Sequence, residues 1–330
     1  METIIRQLTA LYGPSGREAQ VAEAIEALVR DHVDSIRRDA LGNLICEKKG
    51  TNPHGKRILL AAHMDQIGLV VTHVEKEGYL RVSNVGGVHT DNSRTRHVRF
   101  HNGVQGVLTE QPLKAGENSS LRTCFIDVGA KTAEEALALV QPGDVAVYAE
   151  TAIAIGEHRL AAPAMDDRCA CALLVHVLQN LPETPHTVLA VFTAQEEVGC
   201  RGSQTAAYAL EPDVGIALDV TLAGDTPEDR RLAINLGDGP AVKMMDARSI
   251  SNPDVVKALF AAAAKAGVVC QREVLPFGGT DASSIQQSRG GVPVCTLSIP
   301  CRYVHSACEV VDLRDLDGAA KVLKEYLQQA

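Results

Sequence analysis

Apolar positions along this chain fall into two textures. The first is the unbroken run: RILLAA (57–62), HTVLAVFTA (186–194), DVGIAL (213–218) and VPVCTLSIP (292–300) are aliphatic or β-branched with hardly a polar interruption. Runs of this length, apolar at odd and even positions alike, predict buried parallel strands rather than surface helices. The second texture is apolar spacing of three and four. It appears in METIIRQLTALYG through Ile4, Ile5, Leu8 and Leu11, and in REAQVAEAIEALVRDHV through Val21, Ile25, Leu28 and Val29, with Ser15 placed to cap that second helix. DRCACALLVHVLQNL, ending before Pro182, NPDVVKALFAAAAKAG, with Pro253 in its first turn and Gly267 past its end, and the closing DLRDLDGAAKVLKEYLQQ read as further helices. SIRRDALGNLICEKKG predicts a hairpin that bends at Leu41-Gly42-Asn43. Strands alternating with helices imply an α/β fold whose mixed, largely parallel sheet is flanked by helices.

Between about Val70 and Ile155 the alternation changes. VVTHVEKEGYLRVSNVGG, HVRFHNGVQGVLTE, TCFIDVGA and GDVAVYAE are short, glycine-punctuated segments that predict an all-β insert folded as a small barrel, interrupted by one helix over TAEEALALV. The expected organisation is therefore a discontinuous α/β domain, residues 1–69 and 156–330, carrying a barrel at 70–155. Such an insert must return the chain close to where it left if residues on either side are to meet.

Composition narrows the class. A hydrophobic content of 45% over 330 residues supports a large core, while no apolar stretch approaches the roughly 20 residues a membrane helix needs. The N-terminus mixes acid and base among its apolar positions and does not read as a signal peptide. Nine scattered cysteines without a metal-type Cys-x-x-Cys pair suit a reducing cytoplasm. A formal charge of -9 offers no basic footprint for nucleic acid.

Chemistry concentrates where the strand runs end. His63 and Asp65 follow RILLAA, Glu196 and Glu197 follow HTVLAVFTA, Asp219 closes DVGIAL, His305 follows VPVCTLSIP, and Asp166 opens a helix. Each has a bland reading: a satisfied core histidine, a strand-end cap, a solvated glutamate pair. Their common placement favours a site, because ligands of open α/β sheets collect at the carboxyl ends of strands. Two imidazoles, several carboxylates and a spare glutamate are the composition of a two-metal hydrolytic centre, in which a water shared by both ions becomes the nucleophile. Of Glu196 and Glu197, one would face the metals and the other stand over that water. Asp65, two residues beyond His63, can orient its imidazole. PFGGTDASS, with Gly279, Thr280 and Asp281, reads either as a substrate-hugging loop entering a helix or as a tight turn capped by Asp281.

AHMDQIG, AMDDR, TAQEEVGCRGS, ALDV, PFGGTDASSIQ and IPCRYVHSACE occur in the order seen in the tetrahedral aminopeptidase family. The chain resembles these cytosolic metallopeptidases, which include glutamyl and deblocking aminopeptidases and have often been labelled endoglucanases, from GPSGRE to the last helix. The resemblance implies a metallopeptidase α/β domain with an inserted barrel-like dimerisation domain, assembled from dimers into a twelve-subunit tetrahedron that admits short peptides with a free N-terminus. It implies two divalent ions, zinc or cobalt with manganese as a third choice, one held by His63 and Asp219, the other by Glu197 and His305, with Asp166 bridging. Glu196 would be the general base and Asp65 the orienting carboxylate. Asp166 is preferred to Asp167 as the bridge because relatives often carry asparagine at the second position. Two positions depart from the family pattern: Gln66, where many relatives have glutamate, and Cys200, where a larger apolar residue is usual. The competing reading is a glycoside hydrolase, as the old label suggests, but its two carboxylates would leave His63 and His305 without a role. A binding protein with a degenerate site is disfavoured because no proposed ligand is missing.

Overall fold

A computed structural model of the chain describes residues 1–90, 95–114, 116–227 and 232–329. The amphipathic N-terminus forms α1 (Glu2–Thr9), which buries Ile5 and Leu8, and α2 (Ala19–Val29), which buries Val21, Ile25 and Val29. Ser15 does not cap α2: the helix begins at Ala19 after Glu18, no side chain caps it, and the Ser15 hydroxyl is engaged at the candidate site instead. The hairpin β1 (Ser35–Arg38) and β2 (Leu44–Lys48) turns where the Asp39 carboxylate accepts the amides of Leu41, Gly42 and Asn43. β3 (Arg57–His63) follows, and the chain then leaves for the barrel.

The barrel strands are β4 (Gly68–Val74), β5 (Leu80–Val85), β6 (Arg96–Phe100), β7 (Gln105–Glu110), β8 (Cys124–Asp127) and, after the helix α3 (Ala133–Leu139), β9 (Val145–Tyr148). They close in the order β4-β5-β8-β7-β6-β9 with every pairing antiparallel. Leu69, Val71, Leu80, Val98, Phe100, Leu108, Ile126 and Ala146 fill the interior, and closure leaves no open edge. β10 (Ile153–Ile155) already pairs with β11 (Arg159–Ala162) in the larger sheet, so the chain has rejoined the α/β part by that point.

The return continues with α4 (Met165–Asn180), β12 (Thr187–Thr193), α5 (Arg201–Leu210), β13 (Val214–Leu222), β14 (Ala241–Met245), α6 (Pro253–Ala266), β15 (Gln271–Val274), the short α7 (Ala282–Gln286), β16 (Val294–Arg302), β17 (Glu309–Asp312) and α8 (Leu313–Gln329). Asn252 caps α6 by accepting the amides of Asp254 and Val255, and Gly267 ends it at φ 67°. The sheet is eleven-stranded and mixed, with main path β1-β2-β12-β3-β13-β16-β17-β11-β10. Its centre, β12-β3-β13-β16, is parallel. Antiparallel neighbours flank it: the β2 hairpin on β12, and β17 and β14 on β16.

The unbroken apolar runs follow from this two-sided burial. Within β3, Ile58, Leu60 and Ala62 face the core shared with α1, α2, α4, α6 and α8, while Leu59 and Ala61 face the smaller core under α5 and α7. In β12, Val188, Ala190 and Phe192 divide from Leu189 and Val191 in the same way. No helix among the described residues is long and apolar enough to cross a membrane.

Candidate metal centre

The parallel strands bring their ends to one level, and the chemistry-bearing residues gather there. His63 is the last residue of β3, Asp219 lies in β13, Glu196 and Glu197 follow β12 through Gln195 at φ 59°, and Asp166 stands at the start of α4. His305 follows β16 in a tight loop in which it and Tyr303 both take φ 61°. The Asp166 carboxylate lies between the two imidazoles. Its Oδ1 is 2.9 Å from Nε2 of His63 and its Oδ2 is 3.3 Å from Nε2 of His305. Glu197 Oε2 is 3.2 Å from that His305 nitrogen. Asp219 Oδ1 and Glu196 Oε2 lie 3.9 and 4.0 Å from Nε2 of His63.

Asp65 does more here than approach an imidazole. His63 Nδ1 is 3.1 Å from the Asp65 carbonyl oxygen and 3.5 Å from its Oδ1. The carboxylate itself accepts the amides of Glu196 at 2.9 Å and Glu197 at 3.1 Å, and the Ser15 hydroxyl at 2.6 Å. It thereby ties the end of β12 to the end of β3. Glu309, which sequence reasoning passed over, plays a parallel part: one oxygen accepts the Asp166 amide at 2.9 Å and the other the His305 amide at 2.7 Å. Its only sequence signal was its place four residues after His305. Asp167 is the second carboxylate of the AMDDR segment. It accepts the His63 amide at 3.2 Å, and it stands close enough to His63 and Asp219 to share an ion with them.

Of the loop residues expected to meet substrate, Gly279 and Thr280 line the cleft, but Asp281 does not. It is buried behind the cleft wall, accepting the hydroxyls of Thr193 and Ser203 at 2.5 Å each. A buried carboxylate needs such donors, and here they lie on the sheet side of the loop. Arg168, fully buried, is another residue without a sequence signal. It donates to the carbonyls of Leu8, Gly13 and Met64, fastening the GPSG loop beside the site.

The electrostatics are those of an anionic pocket short of positive charge. Burial drives the pKa values of Glu196, Glu197, Asp167 and Asp219 upward, and repulsion among the carboxylates adds to it. Asp166 resists its own burial, because hydrogen bonds from His305 and His63 hold it below the usual carboxylate range. Burial likewise disfavours the imidazolium of His305, yet the charge of Glu197 and the bonds to Asp166 and Glu197 push it up to about 12. Glu309 rises to about 8, chiefly through burial and then the charge of Asp166. Among the described residues, the buried oxygens Glu197 Oε1 and Asp167 Oδ1 have no hydrogen-bond partner. Orphaned carboxylate oxygens, two imidazoles and a carboxylate spanning them fit a donor set for divalent cations of the zinc, cobalt or manganese type.

A cleft of about 830 Å³ opens over these groups, within the usual size of a small-ligand site. The barrel forms one wall through Gly86, Gly87 and His89, and the loop Gly278–Thr280 forms another. The contact is close: a Cβ on Gly87 would lie 2.4 Å from Nδ1 of His305, and one on Gly86 3.1 Å from the Glu197 carboxylate. The barrel thus completes the site and is not merely appended to it.

Residues 42–322 match the family model described as M42 glutamyl aminopeptidase. An Acetivibrio thermocellus protein with a provisional aminopeptidase name is 42% identical over 99% of this chain and 98% of its own. An aminopeptidase from the archaeon Desulfurococcus kamchatkensis superposes with a TM-score of 0.95 at 38% identity, covering 99% of this chain and 94% of its own. The TET1 peptidase of Pyrococcus horikoshii, described as able to assemble into a tetrahedron or a large octahedral shell, superposes with a TM-score of 0.88 at 31% identity, over 100% and 99% of the two chains.

Proposed function

The chain belongs to the M42 glutamyl aminopeptidase family, and from that premise we propose that it removes N-terminal residues from short peptides with the help of two divalent metal ions. The observation that carries this reading is the Asp166 carboxylate, one oxygen against each of two imidazoles. His63 and Asp219 would hold one ion, Glu197 and His305 the other, and Asp166 would be common to both. Bound there, zinc or cobalt would polarise the scissile carbonyl and acidify water.

The remaining steps belong to the chain's own side chains. Glu196, outside the ligand set and with Oε2 turned toward His63, takes a proton from the attacking water and delivers it to the departing amine. Asp65 holds the backbone of both glutamates and stands beside the His63 ring, so it fixes base and ligand together. The anionic pocket suits the ammonium of a free N-terminus, and Gly279 and Thr280 line its wall. The barrel strands β4 to β9 would serve as the dimerisation unit of a homododecamer, and the α/β part on either side of them, which includes β10, would form the catalytic part. The tetrahedral or octahedral shells described for the Pyrococcus horikoshii relative support a multi-subunit assembly. Nine cysteines, most of them buried and none in a Cys-x-x-Cys pair, suit a cytoplasmic setting.

The test is hydrolysis of aminoacyl p-nitroanilides, with N-acetylated counterparts and carboxymethylcellulose alongside, before and after chelation and after return of zinc, cobalt or manganese. Only substrates with a free amine should be cleaved, and only with metal present. Chelator-resistant sugar release without amide cleavage would overturn the reading.

A further inference from the structure

Cys200 begins the turn into α5 at φ 53° and ψ 38°, a left-handed conformation that glycine adopts freely and a residue with a side chain adopts at a cost. Its side chain is 3% exposed and lies against the cleft. The Sγ donates to Oε1 of Glu196 at 3.0 Å, and among the described residues this is the one hydrogen bond that carboxylate receives. The other oxygen, Oε2, is left facing His63 at 4.0 Å. Behind the sulfur, the Thr280 carbonyl lies 3.5 Å away and accepts the Ser283 hydroxyl at 2.9 Å, with the Ser283 oxygen 3.8 Å from the sulfur, so the thiol is enclosed on that side. Cys200 and Glu196 are also joined along the backbone, the Cys200 amide donating to the Glu196 carbonyl at 2.8 Å.

We propose that Cys200 is a positioning residue for the peptidase reaction: its thiol anchors one oxygen of Glu196 so that the other is presented to the reacting water. The proposal rests on the reading of Glu196 as the proton carrier. A glutamate has three rotatable side-chain bonds, and a base free to rotate spends part of its time out of reach of the proton. The thiol restricts that rotation without competing for the proton, because burial, followed by the charge of Glu196, keeps the sulfur protonated.

The experiment compares Cys200→Ala, Cys200→Gly and Cys200→Ser with the wild type in the intact metal-loaded assembly, reading kcat, KM and bound metal. Both deletions should lower kcat by about five- to tenfold with KM held within about twofold and metal content unchanged. The glycine variant suits the local backbone and so separates loss of the anchor from loss of fold. Serine restores a donor and should recover at least about half of the wild-type kcat. The double variant Glu196→Gln with Cys200→Ala should be no slower than Glu196→Gln alone, because the anchor acts only through the glutamate. Deletions that keep the wild-type kcat while Glu196→Gln is inactive would overturn the role of Cys200 and leave that of Glu196 standing. A serine variant as slow as alanine would also overturn it. An active Glu196→Gln variant would remove the reading of Glu196 and this proposal with it.

Discussion

Gly87→Ala probes the joint between barrel and catalytic sheet with a single methyl group. Gly87 carries no positive φ, so alanine imposes no backbone strain of its own, and the effect is purely steric. The added carbon would sit 2.4 Å from Nδ1 and 2.6 Å from Cε1 of His305, where ordinary contacts begin near 3.4 Å. Either the imidazole or the barrel loop must retreat by about 1 Å, several times the roughly 0.2 Å tolerance of a metal–ligand bond. His305 is also fixed from behind, its amide held by Glu309 at 2.7 Å, so the ring cannot withdraw without disturbing its own loop. Misplacement on this scale costs on the order of 10²-fold in turnover. The assay is metal content of the purified variant together with steady-state hydrolysis of an aminoacyl p-nitroanilide. Gly290→Ala, where an added methyl meets nothing within 4 Å among the described residues, is the control. A Gly87→Ala enzyme with undiminished metal and turnover within twofold of the control would refute the reasoning.

Two further perturbations reach beyond the metal ligands. Lys243 is buried with its Nζ 3.1 Å from Glu273 and 3.8 Å from Asp246; Lys243→Met strands both acids and should cost about 3–5 kcal/mol in chemical denaturation, with part restored by adding Glu273→Gln. An unshifted denaturation midpoint would argue against a charge-paired core there. Asp315 accepts the amides of Gly237 and Gly239 at 2.8 Å, and burial raises its pKa from 3.8 to about 6. The folded chain therefore holds this proton more tightly than the unfolded chain, so the stabilisation is present in acid and is lost as pH rises through 6. Relative to Asp315→Asn, the wild type should lose about 1.5 kcal/mol between pH 5 and pH 7.5, and a flat difference curve would contradict the shift.

Much of the fold was legible because burial on two faces leaves a plain trace in sequence. RILLAA reads as continuous because Ile58 and Leu60 serve one core and Leu59 and Ala61 the other. The barrel was legible for the opposite reason, its strands alternating between a filled interior and an outer face. Most of the candidate ligands stood out because they follow an apolar run near the end of a strand, whereas Asp166 stands at the start of α4. Residues that support them had no such marker. Ser15 carries the pattern of a helix cap, yet its hydroxyl meets Asp65, fifty positions away. Glu309 and Arg168 work through backbone amides and carbonyls brought together only by the fold, and such contacts impose no period on the sequence. Asp281 shows the reverse error: a polar residue in a glycine-rich loop looks exposed, but donors from Thr193 and Ser203 draw it inward.

Anomalous diffraction from crystals grown with zinc tests most directly whether Asp166 is shared between two cations. We expect two peaks, one beside His63 and Asp219 and one beside His305 and Glu197, with the Asp166 carboxylate between them, and neither peak in Asp166→Ala. A single peak, or two that persist when Asp166 is removed, would contradict a centre built on that carboxylate.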